Sequence, residues 1–212
     1  MTFQGKFITV EGGEGSGKTT QIGLLTKYLE KYNIRHIFMR EPGGGEVSEK
    51  IREILLSTKY TLDGLTELLL FSAARNENVR NIIQPALESG VSVLCDRFID
   101  STTVYQGMVR GLGAGFTDSI NKRVVDICIP DLTIFYDIDS VQGLARVVGR
   151  GYDKNRIDSE SMEFHENVRQ SYILLEQREH RICKIDASNS IEEVFKETVK
   201  VVNPLFGIND ED

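Results

Sequence analysis

Short apolar runs rich in valine, isoleucine and phenylalanine alternate along this chain with longer stretches in which apolar positions recur every three to four residues. The short runs predict strands over 6–11, 35–39, 91–95, 132–137 and 181–185, and the longer stretches predict helices over about 17–32, 47–57, 64–89, 115–127, 140–149, 159–178 and 191–202. Strands alternating with helices imply βαβ units. Strands that are apolar throughout, such as Val91-Ser92-Val93-Leu94-Cys95, imply burial on both faces of a parallel sheet. The expected fold is therefore α/β, a five-stranded parallel sheet flanked by helices on both faces. No repeat or linker divides the chain, so residues 1–207 read as one domain and the acidic residues 208–212 as a frayed tail. Residues 149–158 are charged, glycine-bearing and turn-rich, the composition of a mobile loop.

The run Gly12-Gly13-Glu14-Gly15-Ser16-Gly17-Lys18-Thr19 satisfies G-x-x-x-x-G-K-[ST], between a predicted strand and a predicted helix. Its glycines let backbone N–H groups turn toward phosphate oxygens, and the following helix directs its positive end at them. In such a loop Lys18 neutralises the β- and γ-phosphates and the Thr19 hydroxyl serves Mg²⁺. The reading is a nucleoside triphosphate site on a three-layer P-loop NTPase fold, with Thr20 completing the loop.

Composition narrows the partners. The 212 residues carry a net charge of −7, which argues against nucleic-acid or anionic-membrane surfaces. Three separated cysteines lack metal spacing and form no disulfide framework. With no basic-apolar leader and no membrane-length apolar stretch, the expected location is cytoplasmic.

A P-loop alone does not distinguish a GTPase, a motor ATPase and a small-molecule kinase. The guanine-reading N-K-x-D run is missing, because Asn121-Lys122 is followed by Arg123-Val124. The third strand ends in Asp96-Arg97. An aspartate there can hold Mg²⁺ directly or through water, while the arginine suits a second anionic group, an acceptor phosphate. Arg40, in Arg40-Glu41-Pro42-Gly43-Gly44, follows the second strand at the same sheet edge. Two guanidinium groups on neighbouring strand ends suit a bidentate grip on one phosphate.

The block from Leu94 to Gln106 (LCDRFIDSTTVYQ) closely resembles the signature of thymidylate kinases. Glu11-Gly12, Arg40-Glu41-Pro42-Gly43-Gly44, Phe71-Ser72-Ala73-Ala74-Arg75, Tyr105-Gln106-Gly107, Arg110-Gly111 and Pro130-Asp131-Leu132-Thr133 match in family order over nearly the whole chain. The resemblance is to the bacterial type and implies transfer of the γ-phosphoryl of ATP to dTMP, giving dTDP and ADP, with Mg²⁺ and commonly in a homodimer, which the long 64–89 helix would permit. It further implies that Phe71 stacks on thymine, that Arg75 bonds the base's carbonyl edge, and that Ser101, Thr102 and Gln106 lie near the acceptor. Tyr105 would close the space of a ribose 2′-hydroxyl, and Glu14 would meet the 3′-hydroxyl. The P-loop has no arginine of its own, so Arg150 and Arg156 of a lid over about 146–158 would close on the phosphates, with Arg146 nearer the adenine. Asn155-Arg156-Ile157-Asp158 departs from the usual Asp-Arg-apolar-Glu, and Met39 and Gly45 replace common threonines. No general base is called for, since the acceptor is already an oxyanion. His36, His165 and His180 read as structural or surface residues. The alternatives are another nucleotide or deoxynucleoside kinase of this fold, and a nucleotide-dependent switch.

Overall fold

The five apolar runs form β1 (Phe7–Glu11), β2 (His36–Arg40), β3 (Ser92–Asp96), β4 (Leu132–Asp137) and β5 (Ile182–Asp186), each within one residue of its expected bounds. They make one parallel sheet in the order β2-β3-β1-β4-β5. The computed structural model describes residues 4–148 and 155–209. Helices α1 (Lys18–Lys31), α2 (Glu46–Leu56), α3 (Gly64–Asn78), α4 (Gln84–Glu88), α5 (Ile99–Thr102), α6 (Ala114–Val125), α7 (Ser140–Val148), α8 (Met162–Glu176) and α9 (Ile191–Phe206) connect and flank the strands.

The period-two alternation of each strand divides the core between the two sheet faces. Ile8, Val10, Leu94, Ile134 and Tyr136 pack with Ile22, Leu25 and Leu29 of α1 and Val194 and Val202 of α9. Phe7, Val93, Cys95 and Phe135 face the opposite way, where α8 and the segment after β3 cover them. Burial on both faces holds for β1 and β4 and for most of β3, but not for β2, where Phe38 is 51% exposed. As an edge strand, β2 has a partner on one side only.

Three helix expectations are corrected. The 64–89 helix is not continuous: it passes from α3 through a π-helical turn, Val79–Ile83, into α4. The terminal helix runs to Phe206 rather than stopping at 202: it passes through Pro204, which gives up one backbone hydrogen bond, and ends at Gly207 (φ 65°). A helical segment that the periodicity did not show, α5 followed by a π-helix over Thr103–Val109, follows β3. Its residues from Thr102 to Gly107 are all buried, so no amphipathic stripe marked it.

Strand register brings the chemistry together. Val10 pairs with Asp96 and Arg40 also pairs with Asp96, so the P-loop, the Asp96-Arg97 pair and the Arg40 turn leave adjacent strands at one sheet edge. Ligands of open α/β sheets bind at this carboxyl edge.

Candidate active site

The P-loop between β1 and α1 is built by close approach. Gly15 has φ 71°, and a Cβ there would collide with the Gly143 carbonyl of α7. Gly17 caps α1 at φ 86°, leaving the first N–H groups of that helix directed at the loop. Lys18 Nζ donates to the carbonyls of Gly12 (3.0 Å) and Gly13 (2.9 Å). Burial lowers the Lys18 pKa and Arg97 adds to this, opposed by Glu14, Asp96 and Glu11. Incoming phosphate oxygens would favour the charged form.

Beside the loop lies a cavity of about 810 Å³, within the size range of small-molecule sites. Residues 14–20, Arg40, Phe71, Arg75, Asp96, Arg97, Ser101, Thr102, Tyr105 and Gln106 all line it. Most of the expected contact residues thus converge on one space, Gly12, Gly13, Arg146 and Arg156 excepted.

Arg97 reaches this space from a left-handed backbone (φ 68°), costly for a non-glycine residue and stabilised by its N–H on the Val10 carbonyl (2.9 Å). Its guanidinium donates to Glu14 Oε1 (2.9 Å) and Ser101 Oγ (3.3 Å) and lies over the Tyr105 ring. Burial would lower its pKa, but Tyr105, Tyr172, Glu14 and Glu11 outweigh this, so it stays charged. Burial likewise pushes the Glu14 carboxyl up, while Lys18, Arg97 and His165 together hold it below its ordinary value. The base of the cavity therefore alternates positive and negative groups.

Arg40 lines the cavity, yet its guanidinium pairs with Glu49 (3.0 and 3.3 Å) and the Pro42 carbonyl. Arg75 is fully buried, as an arginine can be only with partners. It donates to Glu41 (2.7 Å), Thr102 (2.7 Å), Asn121 (3.2 Å) and the Phe98 carbonyl (2.9 Å). Phe71, one turn earlier on α3, is half-buried at the cavity wall.

Several structural partners were not assigned roles from the sequence. Glu11, fully buried at the end of β1, accepts from Phe98 N, Ser101 N, Ser101 Oγ and Tyr172 OH, fixing the turn that carries Arg97. Glu41 accepts from Asn78 as well as Arg75. Glu67 accepts from Gln106 (2.6 Å), Arg110 (3.5 Å) and Arg156 (2.6 Å). Glu67, Phe71 and Arg75 are spaced by four, so extending the Phe71/Arg75 stripe back one turn would have found Glu67. Tyr172 has no local signal, because its contact with Glu11 spans the chain.

The expected lid, over about 146–158, lies partly outside the described residues. Arg150 lies outside the described residues, as do Gly149 and 151–154. Arg156 is described, with its guanidinium on Glu67 and on the Leu55 carbonyl. Arg146 donates to the Ala187 carbonyl after β5. Neither of these arginines lines the main cavity, whereas Asn155, Ile157 and Asp158 do. His36 is half-buried and His180 exposed, while His165 is buried on α8 with Nε2 unpartnered.

The donor set fits Mg²⁺. Asp96 Oδ1 is buried without a hydrogen-bond partner at the same wall that Thr19 lines. Among the described residues no group of three or more metal-binding side chains exists. Mg²⁺ is generally held by one or two carboxylates together with substrate phosphates and waters.

Known proteins resemble this chain over most of its length. A family model described as thymidylate kinase matches residues 10–198. A thymidylate kinase of Geobacillus thermodenitrificans is 45% identical over 201 residues, covering 93% of this chain and 89% of that protein. One of Magnetococcus marinus is 46% identical over 193 residues, covering 90% and 92%. The crystal structure of thymidylate kinase from Ehrlichia chaffeensis matches with a TM-score of 0.76 at 37% identity, covering 94% of this chain and 98% of that one.

Proposed function

This chain belongs to the thymidylate kinase family, and on that premise we propose how its own residues divide the work of the reaction. The enzyme transfers the γ-phosphoryl group of ATP to dTMP, giving dTDP and ADP. It does so as one nucleoside monophosphate kinase domain.

ATP phosphates lie in the P-loop, from Gly12 to Thr20, with Lys18 on the β- and γ-oxygens. Thr19 and Asp96 would hold Mg²⁺, whose positive charge would offset the negative charge of the phosphates. On the acceptor side, Arg97 grips the dTMP phosphate, joined by Arg40 when it exchanges Glu49 for the ligand. Thymine stacks on Phe71 and meets Arg75, Thr102 and Gln106, while Tyr105 lies against the deoxyribose and Glu14 meets the 3′-hydroxyl. Ser101 orients Arg97. The chemistry asks mainly for alignment of two phosphates and stabilisation of spread negative charge. Arg150 and Arg156 supply part of that charge from the lid and exclude water on closure, with Arg146 toward the adenine.

The observation that supports this reading is the strand register that sets Val10, Asp96 and Arg40 side by side, bringing the P-loop, proposed as one anion site, and Arg97 and Arg40, proposed as the other, onto one cavity. A deoxynucleoside kinase would have no use for the second of these sites. We extend the proposal to a homodimer through α3, whose Leu65 and Leu69 are 44% and 53% exposed, and to a cytoplasmic location consistent with three free cysteines.

A coupled ADP-release assay across dTMP, dUMP, dCMP and thymidine tests the reading. Rapid ADP release is expected with dTMP, abolished by EDTA and restored by added Mg²⁺. Faster turnover of thymidine than of dTMP, or equal ADP release without any acceptor, would overturn it.

A further inference from the structure

An amide side chain does not by itself decide what it reads, since a half-turn of its terminal group exchanges a carbonyl for an NH₂. For Gln106 the surrounding structure decides. Gln106 Nε2 donates to Glu67 Oε1 at 2.6 Å, and both residues are buried, at 2% and 1% exposure. A carboxylate can only accept, so the amide commits its NH₂ to Glu67. Its Oε1 turns away, accepts no hydrogen bond among the described residues, and belongs to a side chain that lines the cavity. Glu67 is itself held in place, with Arg156 Nη2 on Oε2 at 2.6 Å and Arg110 Nε on Oε1 at 3.5 Å.

We infer that Glu67 is a specificity-determining residue: it fixes Gln106 as a hydrogen-bond acceptor, so that the pocket selects a pyrimidine with N3–H and rejects one whose N3 is itself an acceptor. Arg75 presents the complementary group. Four of its N–H donors are committed to Glu41, Thr102, Asn121 and the Phe98 carbonyl. One Nη2 hydrogen of the guanidinium's five donors is left for a base carbonyl. A donor from Arg75 beside an acceptor from Gln106 matches the O4/N3–H edge of thymine or uracil. Cytosine places an amino group and a bare N3 there, so both contacts fail. The inference rests on the reading that the base lies by Phe71, Arg75 and Gln106.

Glu67→Gln tests it, because glutamine keeps the shape but can offer Gln106 either a carbonyl or an NH₂. Binding of dTMP is compared with that of 5-methyl-dCMP, which keeps the methyl group and sugar and changes only the edge. Wild-type protein is expected to prefer dTMP strongly, and E67Q to lose about tenfold or more of that preference, because a site built around one hydrogen-bond pattern owes its selectivity to leaving the wrong partner unpaired. The KM for ATP should stay within about twofold, as expected when only acceptor binding changes. Unchanged preference in a folded E67Q, including equal weakening of both ligands, overturns the inference and leaves Glu67 as an anchor for Arg156. Absence of preference in the wild type would instead overturn the assignment of this pocket to the dTMP base. Should E67Q fail to fold, neutron diffraction of the deuterated wild-type protein with dTMP decides. Gln106 deuterons facing Glu67 are expected, and the amide oxygen facing Glu67 would refute the inference.

Discussion

Replacing Arg97 by alanine should lower kcat/KM for dTMP by roughly 30- to 5,000-fold, corresponding to the about 2–5 kcal/mol lost when one member of a buried charge-assisted contact is removed. ATP affinity should change by less than about threefold, as expected for loss of a contact made to the acceptor alone. The asymmetry follows from position. Arg97 stands on the β3 side of the cavity, reaches Glu14 and Ser101, and is held by a left-handed backbone that brings its guanidinium across the acceptor space. The same change leaves Glu14 and the fully buried Glu11 with one fewer cation, so the thermal midpoint should also fall. Kinetics are therefore measured well below that midpoint, with dTMP and ATP varied separately. Equal weakening toward both substrates would remove Arg97 from the acceptor site.

Lys18→Ala should have the larger effect on kcat, a loss of about 10³-fold or more, since one preorganised charge on a transferring phosphoryl group is worth at least as much as a single oxyanion-hole donor. Lys18 Nζ rests on two carbonyls of its own loop, so the cation is held at the loop where the proposal places the phosphate oxygens. Affinity for dTMP should be nearly unchanged, because the proposed function gives the acceptor contacts to Arg97, Phe71 and Arg75. Single-turnover kinetics with ATP saturating separates the chemical step from binding. Retention of most of the wild-type turnover would show that Lys18 does not bear the phosphoryl charge.

The fold was legible in the sequence because its strands are short, apolar and separated by amphipathic helices, and local patterns report such units well. Legibility failed where burial removed the pattern. The segment after β3 is buried around its whole circumference, and the π-helical turn at Val79–Ile83 leaves no mark in an apolar periodicity. For the site, residues recognised by chemical type, Lys18 at the start of α1 and Asp96 and Arg97 at the end of β3, converge on the cavity. What the sequence did not reveal was the carboxylates behind them. Glu11, Glu41 and Glu67 each accept from groups distant in the chain, and such pairings arise only after the sheet and helices have assembled. Arg40 and Arg156 illustrate the other limit. Their positions were legible, but their partners in this structure, Glu49 and Glu67, were not.

The central claim is that backbone amides and a guanidinium group form two phosphate sites facing one another across a single cavity. A crystal structure with ADP and dTMP bound together tests it most directly. The ADP phosphates should lie on residues 12–19, the dTMP phosphate within hydrogen-bond distance of Arg97, and the thymine ring against Phe71. A dTMP phosphate remote from both Arg40 and Arg97 would contradict the account.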